Sequence, residues 1–202
     1  NKRDPVSQTT PLNPYVAGGA LSDPTGRGFF GREDIIAFVR SSLAAEQRTP
    51  VLLYGQRRIG KSSILRQIVH RLAPEHACVF FDLQGKASMN LDQVLYGLAR
   101  ALADTLGTAR PEREDVTEDR FVDRVLAPAI TAVGDPRRLV LLFDEFDVVD
   151  ERLGDSGVAA GRFISFLGEL VQKERHLGCI LVVGRKTDEL SEEFNGSLLK
   201  NA

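Results

Sequence analysis

Two rhythms of apolar positions alternate along the chain. Short unbroken apolar runs of strand length stand at Pro50–Tyr54, Ala77–Leu83, Leu139–Phe143 and Cys179–Val183. Between them lie stretches with the three- and four-residue spacing of one helical face. Glu33–Leu43 carries Ile35, Ile36, Val39 and Leu43, and Ser62–Leu72 carries Ile64, Leu65, Ile68 and Leu72. Leu91–Leu106 is the cleanest helix, with Asn90 and Gln93 spaced as a capping box. Phe121, Val125 and Ile130 predict a further helix, bent or ended near Pro128, and Phe163–Val171 predicts another. Residues 107–117 and 150–158 are polar and read as loops. Strands that are apolar runs, rather than alternating, are buried on both faces. Strands that take turns with amphipathic helices imply an α/β fold with a parallel sheet covered on both sides.

Residues 1–30 break the rhythm. They hold four of the nine prolines and four glycines, with little periodicity, and form an extended lead-in to a core beginning at residue 31. The first residue is Asn1 rather than Met, so the chain is expected to be a piece of something longer. At 202 residues it suits one domain with extensions, large enough to need no disulfide or metal staple. No apolar run approaches the ~18 to 20 residues of a membrane span, and the N-terminus lacks a signal-peptide core. A cytoplasmic protein without a membrane partner is therefore expected. A net charge of −2 and a pI near 6.0 lack the basic bias of a dedicated nucleic-acid binder. Cys78 and Cys179 sit inside apolar runs and read as buried free thiols of a reducing compartment. His70, His76 and His176 lie in polar surroundings and read as solvated surface.

Chemistry concentrates at two strand ends. Gly55-Gln56-Arg57-Arg58-Ile59-Gly60-Lys61-Ser62 follows the first strand and opens a helix, in the pattern G-x-x-x-x-G-K-[ST]. Glycines let the chain curl so that successive N–H groups face phosphate oxygens, and the helix beginning near Lys61 adds the positive end of its dipole. Residues 55–63, Ser63 included, are thus expected to bind a nucleotide. Lys61 would reach the β and γ phosphates, and the Ser62 hydroxyl would ligate Mg²⁺. The third strand ends in Asp144-Glu145. A carboxylate there lies at the ligand edge of an open α/β sheet, where Asp144 would hold Mg²⁺ and Glu145 would polarise the attacking water. Asp147 is the rival base, with a supporting or surface place expected for it.

The Asp144-Glu145 pair resembles that of the additional-strand, catalytic-glutamate division of P-loop NTPases, which includes the AAA+ and STAND ATPases. The resemblance implies a three-layer sandwich whose sheet, in chain-order labels, runs 2-3-4-1, with a fifth strand beside strand 1 and a lid or winged-helix region beyond Ala202. It implies ATP or ADP as ligand, and a basic residue after the fourth strand that senses the γ-phosphate; Arg185 matches that position, with Lys186 as competitor. Asn13-Pro14-Tyr15 and Phe30-Gly31-Arg32-Glu33 are similar to the N-terminal signature of STAND and origin-recognition-type ATPases. In those families this segment borders the adenine, which assigns Phe30, Gly31 and Arg32 to the base. Arg57 and Arg58 depart from the glycine-rich loop of many STAND proteins and have no assigned role. Three functions follow from the resemblance: an ATP-driven switch that self-associates or contacts sensor and effector domains, a DNA-handling ATPase, or a nucleotide-binding scaffold without turnover.

Overall fold

The computed structural model describes residues 31–45, 49–56, 59–86, 88–150 and 157–184. Four strands alternate with helices in the order α1 (Glu33–Ala44), β1 (Val51–Tyr54), α2 (Lys61–Leu72), β2 (His76–Asp82), α3 (Leu91–Leu106), α4 (Glu118–Phe121), α5 (Ala127–Val133), β3 (Arg138–Asp144), α6 (Gly157–Lys173) and β4 (Leu177–Val183). The strands form one parallel sheet in the order β1-β4-β3-β2, the order expected from the sequence read from its other edge. Asp82 pairs with Asp144, and Tyr54 with Val183, so the strands end nearly level.

Alternate residues of each strand feed two cores. Cys78, Val140, Leu142, Ile180 and Val182 pack with α1 and α2 on one face. Val79, Leu141, Phe143, Leu181 and Val183 pack with α3, α5 and α6 on the other. That division makes the three-layer sandwich. It explains why the strands read as unbroken apolar runs. Both cysteines are free and buried; burial pushes the Cys78 thiol up to about 12 and that of Cys179 higher still, so neither is a thiolate near neutrality.

Three details depart from the sequence expectation. The chain does not break at Pro128: it stays helical from Glu118 to Val133, with a π-turn at Val122–Leu126 just before the proline. A proline ring clashes with the carbonyl four residues back and has no N–H to give it. A widened turn ahead of Pro128 absorbs that mismatch without ending the helix. The 107–117 loop holds a short 3₁₀ turn at Arg113–Asp115, and Val116 is buried as one of its anchors. His76 is not a surface residue; it opens β2 half-buried, with its Nδ1 buried and unpartnered. Burial holds its pKa below the ordinary 6.5; Glu75 opposes that shift, and Arg138, Arg137 and Arg40 add to it.

The edge of the sheet away from the acidic strand end is fastened by arginines. Neither α1 nor α2 ends on a left-handed glycine. Arg138 donates instead to Leu43 O at the end of α1 (2.6 Å), and Arg137 to Ala73 O and His76 O (3.1 and 3.2 Å). Arg40 pairs with Glu75 at 3.0 Å. These guanidinium groups satisfy carbonyls that a helix end leaves open and oppose the negative end of its dipole. Among the described residues no helix is long and apolar enough to cross a membrane.

Candidate nucleotide site

β1 delivers the chain to Gly55 at the end where all four parallel strands finish. Gly60, at φ +93°, is the N-cap of α2, and a left-handed residue there calls for glycine. No side chain caps α2, and its first turn carries no acid. The positive end of its dipole is therefore uncompensated, which is what an anion site needs. Lys61 opens the helix with its side chain buried, and Nζ donates to Gly55 O at 2.7 Å and Gln56 O at 3.0 Å. The ammonium is thus aimed into the curl of the loop. Phosphate oxygens, being charged, are stronger acceptors than the two carbonyls they would replace. Ile59 Cδ1 occupies the space that a Cβ on Gly55 would take, so a larger first residue would have to turn the Ile59 side chain aside. Ser62 is half-buried and Ser63 buried in the first turn of α2.

The acidic strand end lies two strands away, since β4 separates β1 from β3. At about 4.8 Å per strand that is roughly 10 Å, close to the length of a triphosphate with its bound ion. Asp144 is buried, and its Oδ1 accepts from the Glu145 amide at 3.0 Å. Glu145 is half-buried and takes φ +51°, a left-handed conformation that costs a residue with a side chain free energy. Such an outlier immediately after a buried carboxylate at the ligand edge supports a working role for the side chain. The chain then enters a 3₁₀ turn, Phe146–Asp150. Phe146 is fully buried, 5.6 Å from the Phe143 ring and 6.0 Å from that of Phe163. Asp147 is 8% exposed, which corrects the surface alternative expected for it.

Mg²⁺ takes one or two protein ligands and leaves the rest to phosphates and water. A hydroxyl and a single buried carboxylate, Ser62 and Asp144, fit that donor set. Among the described residues no three His, Cys, Asp or Glu side chains gather as a cage for a metal ion held by protein alone.

On the lead-in side, Gly31 is left-handed (φ +71°) and Arg32 is the N-cap of α1. Arg32 lines a cavity of about 330 Å³ with Asp34, Phe38, Tyr54, Ile59 and Lys61. Arg32 and the phosphate-loop lysine thus line one cavity. Phe38 and Tyr54, 58% and 63% exposed, were not singled out by the sequence pattern. Their signal was available: Phe38 falls off the apolar stripe of α1, and Tyr54 is a large aromatic at a strand end beside a phosphate loop. Phe30, Arg57, Arg58 and Arg185 lie outside the described residues, as do Asn13-Pro14-Tyr15 and Lys186.

A family described as an ATPase domain predominantly from Archaea matches residues 29–183. No curated protein matches the sequence. Among solved structures, the Orc1 protein of Aeropyrum pernix in complex with DNA is similar at a TM-score of 0.57 and 15% identity, over 82% of this chain and 41% of that one. The Walker-type ATPase PABY2304 of Pyrococcus abyssi is similar at a TM-score of 0.57 and 16% identity, over 78% of this chain and 46% of that one. At such identities the likeness is one of fold, and the chain spans less than half the length of either protein.

Proposed function

We propose, from the premise that this chain belongs to the ATPase domain family found predominantly in Archaea, that it binds ATP or ADP with Mg²⁺ and hydrolyses ATP slowly as the nucleotide-binding core of a STAND-like switch. One observation carries the nucleotide reading. An uncapped, glycine-initiated helix with a buried lysine at its first position stands two strands from a buried Asp-Glu strand end.

Lys61 would exchange Gly55 O and Gln56 O for β and γ phosphate oxygens, while N–H groups at the start of α2 would take the others. Ser62 and Asp144 would hold the metal ion, which when bound supplies charge stabilisation at the phosphoryl oxygens. Glu145 would accept the proton of an attacking water on the far side of the γ phosphate. Residues 1–30 would complete the base wall begun by Arg32, and Arg185 would sense the γ phosphate beyond β4. Differential contact of these groups with ATP and ADP is what can bias the arrangement of further domains or of neighbouring copies. Calorimetry with MgATP tests the nucleotide reading. Lys61→Ala should weaken binding at least tenfold, about 1.4 kcal/mol. Unchanged affinity would remove the phosphate loop from the account.

A second reading, a DNA-handling ATPase, is favoured by the similarity to the DNA-bound Orc1 structure. The acidic balance of this chain weighs against DNA contact by this domain itself. Salt-dependent DNA binding by the full-length protein would decide for it.

A further inference from the structure

Gly184, the residue after β4, is not explained by its backbone. Its φ is outside the left-handed region, so a residue with a side chain could adopt it. What crowds one is space: a Cβ at 184 would lie 3.2 Å from Asp147 Oδ2 and 3.9 Å from both Oδ1 and Cγ, so the carboxylate would have to give by a few tenths of an ångström. The carboxylate of a residue that follows β3 therefore sits against the end of β4. β4 is the strand between the phosphate loop and the acidic pair.

Val183 packs under α3 and α6 and Val182 under α1 and α2, and Phe143 and Leu142 divide in the same way at the end of β3. Val183 is in register with Tyr54, so Gly184 stands level with Gly55, whose carbonyl holds Lys61 Nζ. Asp147 thus stands against the end of β4, the strand that separates β1 and its phosphate loop from β3 and its acidic end. Its neighbours Phe146 and Val149 are buried and anchor the turn that carries it.

We propose that Asp147 is a positioning residue of the hydrolysis step: its carboxylate, seated in the space left by Gly184, locks the end of β4 to the end of β3 and so sets the spacing between the phosphate loop and Glu145. The proposal rests on the nucleotide reading above. It assigns Asp147 no proton transfer, and that separates it from a rival base. The polar volume of the side chain matters, and its charge does not.

Single-turnover hydrolysis at saturating MgATP tests it, with nucleotide affinity and thermal melts measured alongside. Asp147→Ala removes the lock, and Gly184→Ala pushes it aside. Each should slow hydrolysis about tenfold while leaving the ATP Kd within about twofold. Asp147→Asn keeps the volume and an acceptor oxygen and should retain at least about half of the wild-type rate. The double variant Asp147→Ala/Gly184→Ala should be no slower than the slower single variant, because both act on one contact. Independently of turnover, Gly184→Ala should lower Tm, and less so when Asp147→Ala accompanies it. Asp147→Asn as slow as Asp147→Ala, multiplicative losses in the double variant, additive Tm changes, or a loss confined to ATP affinity would each overturn the proposal. Failure of the nucleotide reading is distinct, since wild type would then show no Lys61-dependent binding while the Tm coupling of 147 and 184 persisted.

Discussion

The N-termini of α2 and α3 are built on opposite plans. α3 opens on a complete capping box, with Asn90 Oδ1 accepting from Gln93 N and Gln93 Oε1 accepting from Asn90 N, both at 2.9 Å. Asp92, its second residue, matches the dipole, and Oδ1 also accepts from Glu118 N at 3.1 Å. α2 opens on Gly60 without a cap, carries no acid in its first turn, and puts a buried lysine first and Ser62 second. Both helices follow strands of the same parallel sheet and start at the same edge. The difference is one of purpose. α3 has the N–H groups of Asn90 and Gln93 satisfied by its capping box, whereas α2 has no side-chain cap and forgoes about 1 kcal/mol of cap stabilisation.

The largest effect should come from the group that acts only once α2 is occupied. Glu145→Gln keeps shape and loses the base, so turnover should fall about 10²- to 10⁴-fold with MgATP still bound. A greater loss in Asp147→Asn than in Glu145→Gln, read by phosphate release, would move the base to Asp147.

Next comes the exchange of plans. Ser62→Asp copies Asp92 into the equivalent position of α2. It should raise stability by about 0.3 to 1 kcal/mol through the dipole and weaken MgATP binding more than tenfold through repulsion of phosphate. Denaturant melts and calorimetry on the same variant would show the two moving in opposite directions; binding that survives would mean the phosphates do not sit on this helix end. The reciprocal change, Asn90→Ala, should cost about 1 kcal/mol of stability and leave the ATP Kd alone.

The smallest effect belongs to neither helix start. His76 has its pKa lowered by folding, so the native state binds fewer protons than the unfolded chain as the pH falls. Its contribution is complete above the unfolded value near 6.5 and is lost as pH falls through that value toward the folded one. His76→Gln should make melting temperature less sensitive to acid across that window; an unchanged slope would show that other groups govern it.

Most of this was visible in the chain because the forces are local. β3 and β4 are buried on both faces, and each long helix shows one apolar stripe, so periodicity places Leu91–Leu106 to the residue. The phosphate loop and Asp144 announce themselves by spacing at strand ends. What escaped depends on neighbours distant in sequence. Nothing near Asp147 signals burial except Phe146, whose anchoring partner Phe163 comes from α6. The space at Gly184 is set by a side chain 37 residues earlier. The π-turn before Pro128 is a compromise in helix register, and propensity registers only the proline. Phe38 and Tyr54 line a common cavity because α1 and β1 converge, and neither periodicity contains that fact.

The pairing of β1 has a consequence for how the protein is made. Among the described residues the strand that carries the phosphate loop hydrogen-bonds only to β4, with Val51 beside Ile180. On a ribosome adding about 5 to 20 residues per second, β1 waits on the order of ten seconds for that partner to emerge. Arg138, which closes the end of α1, also arrives well after the helix it serves. A nascent chain therefore has a phosphate-loop sequence long before it has a phosphate site. Nucleotide capture during synthesis would report that β4 has left the exit tunnel.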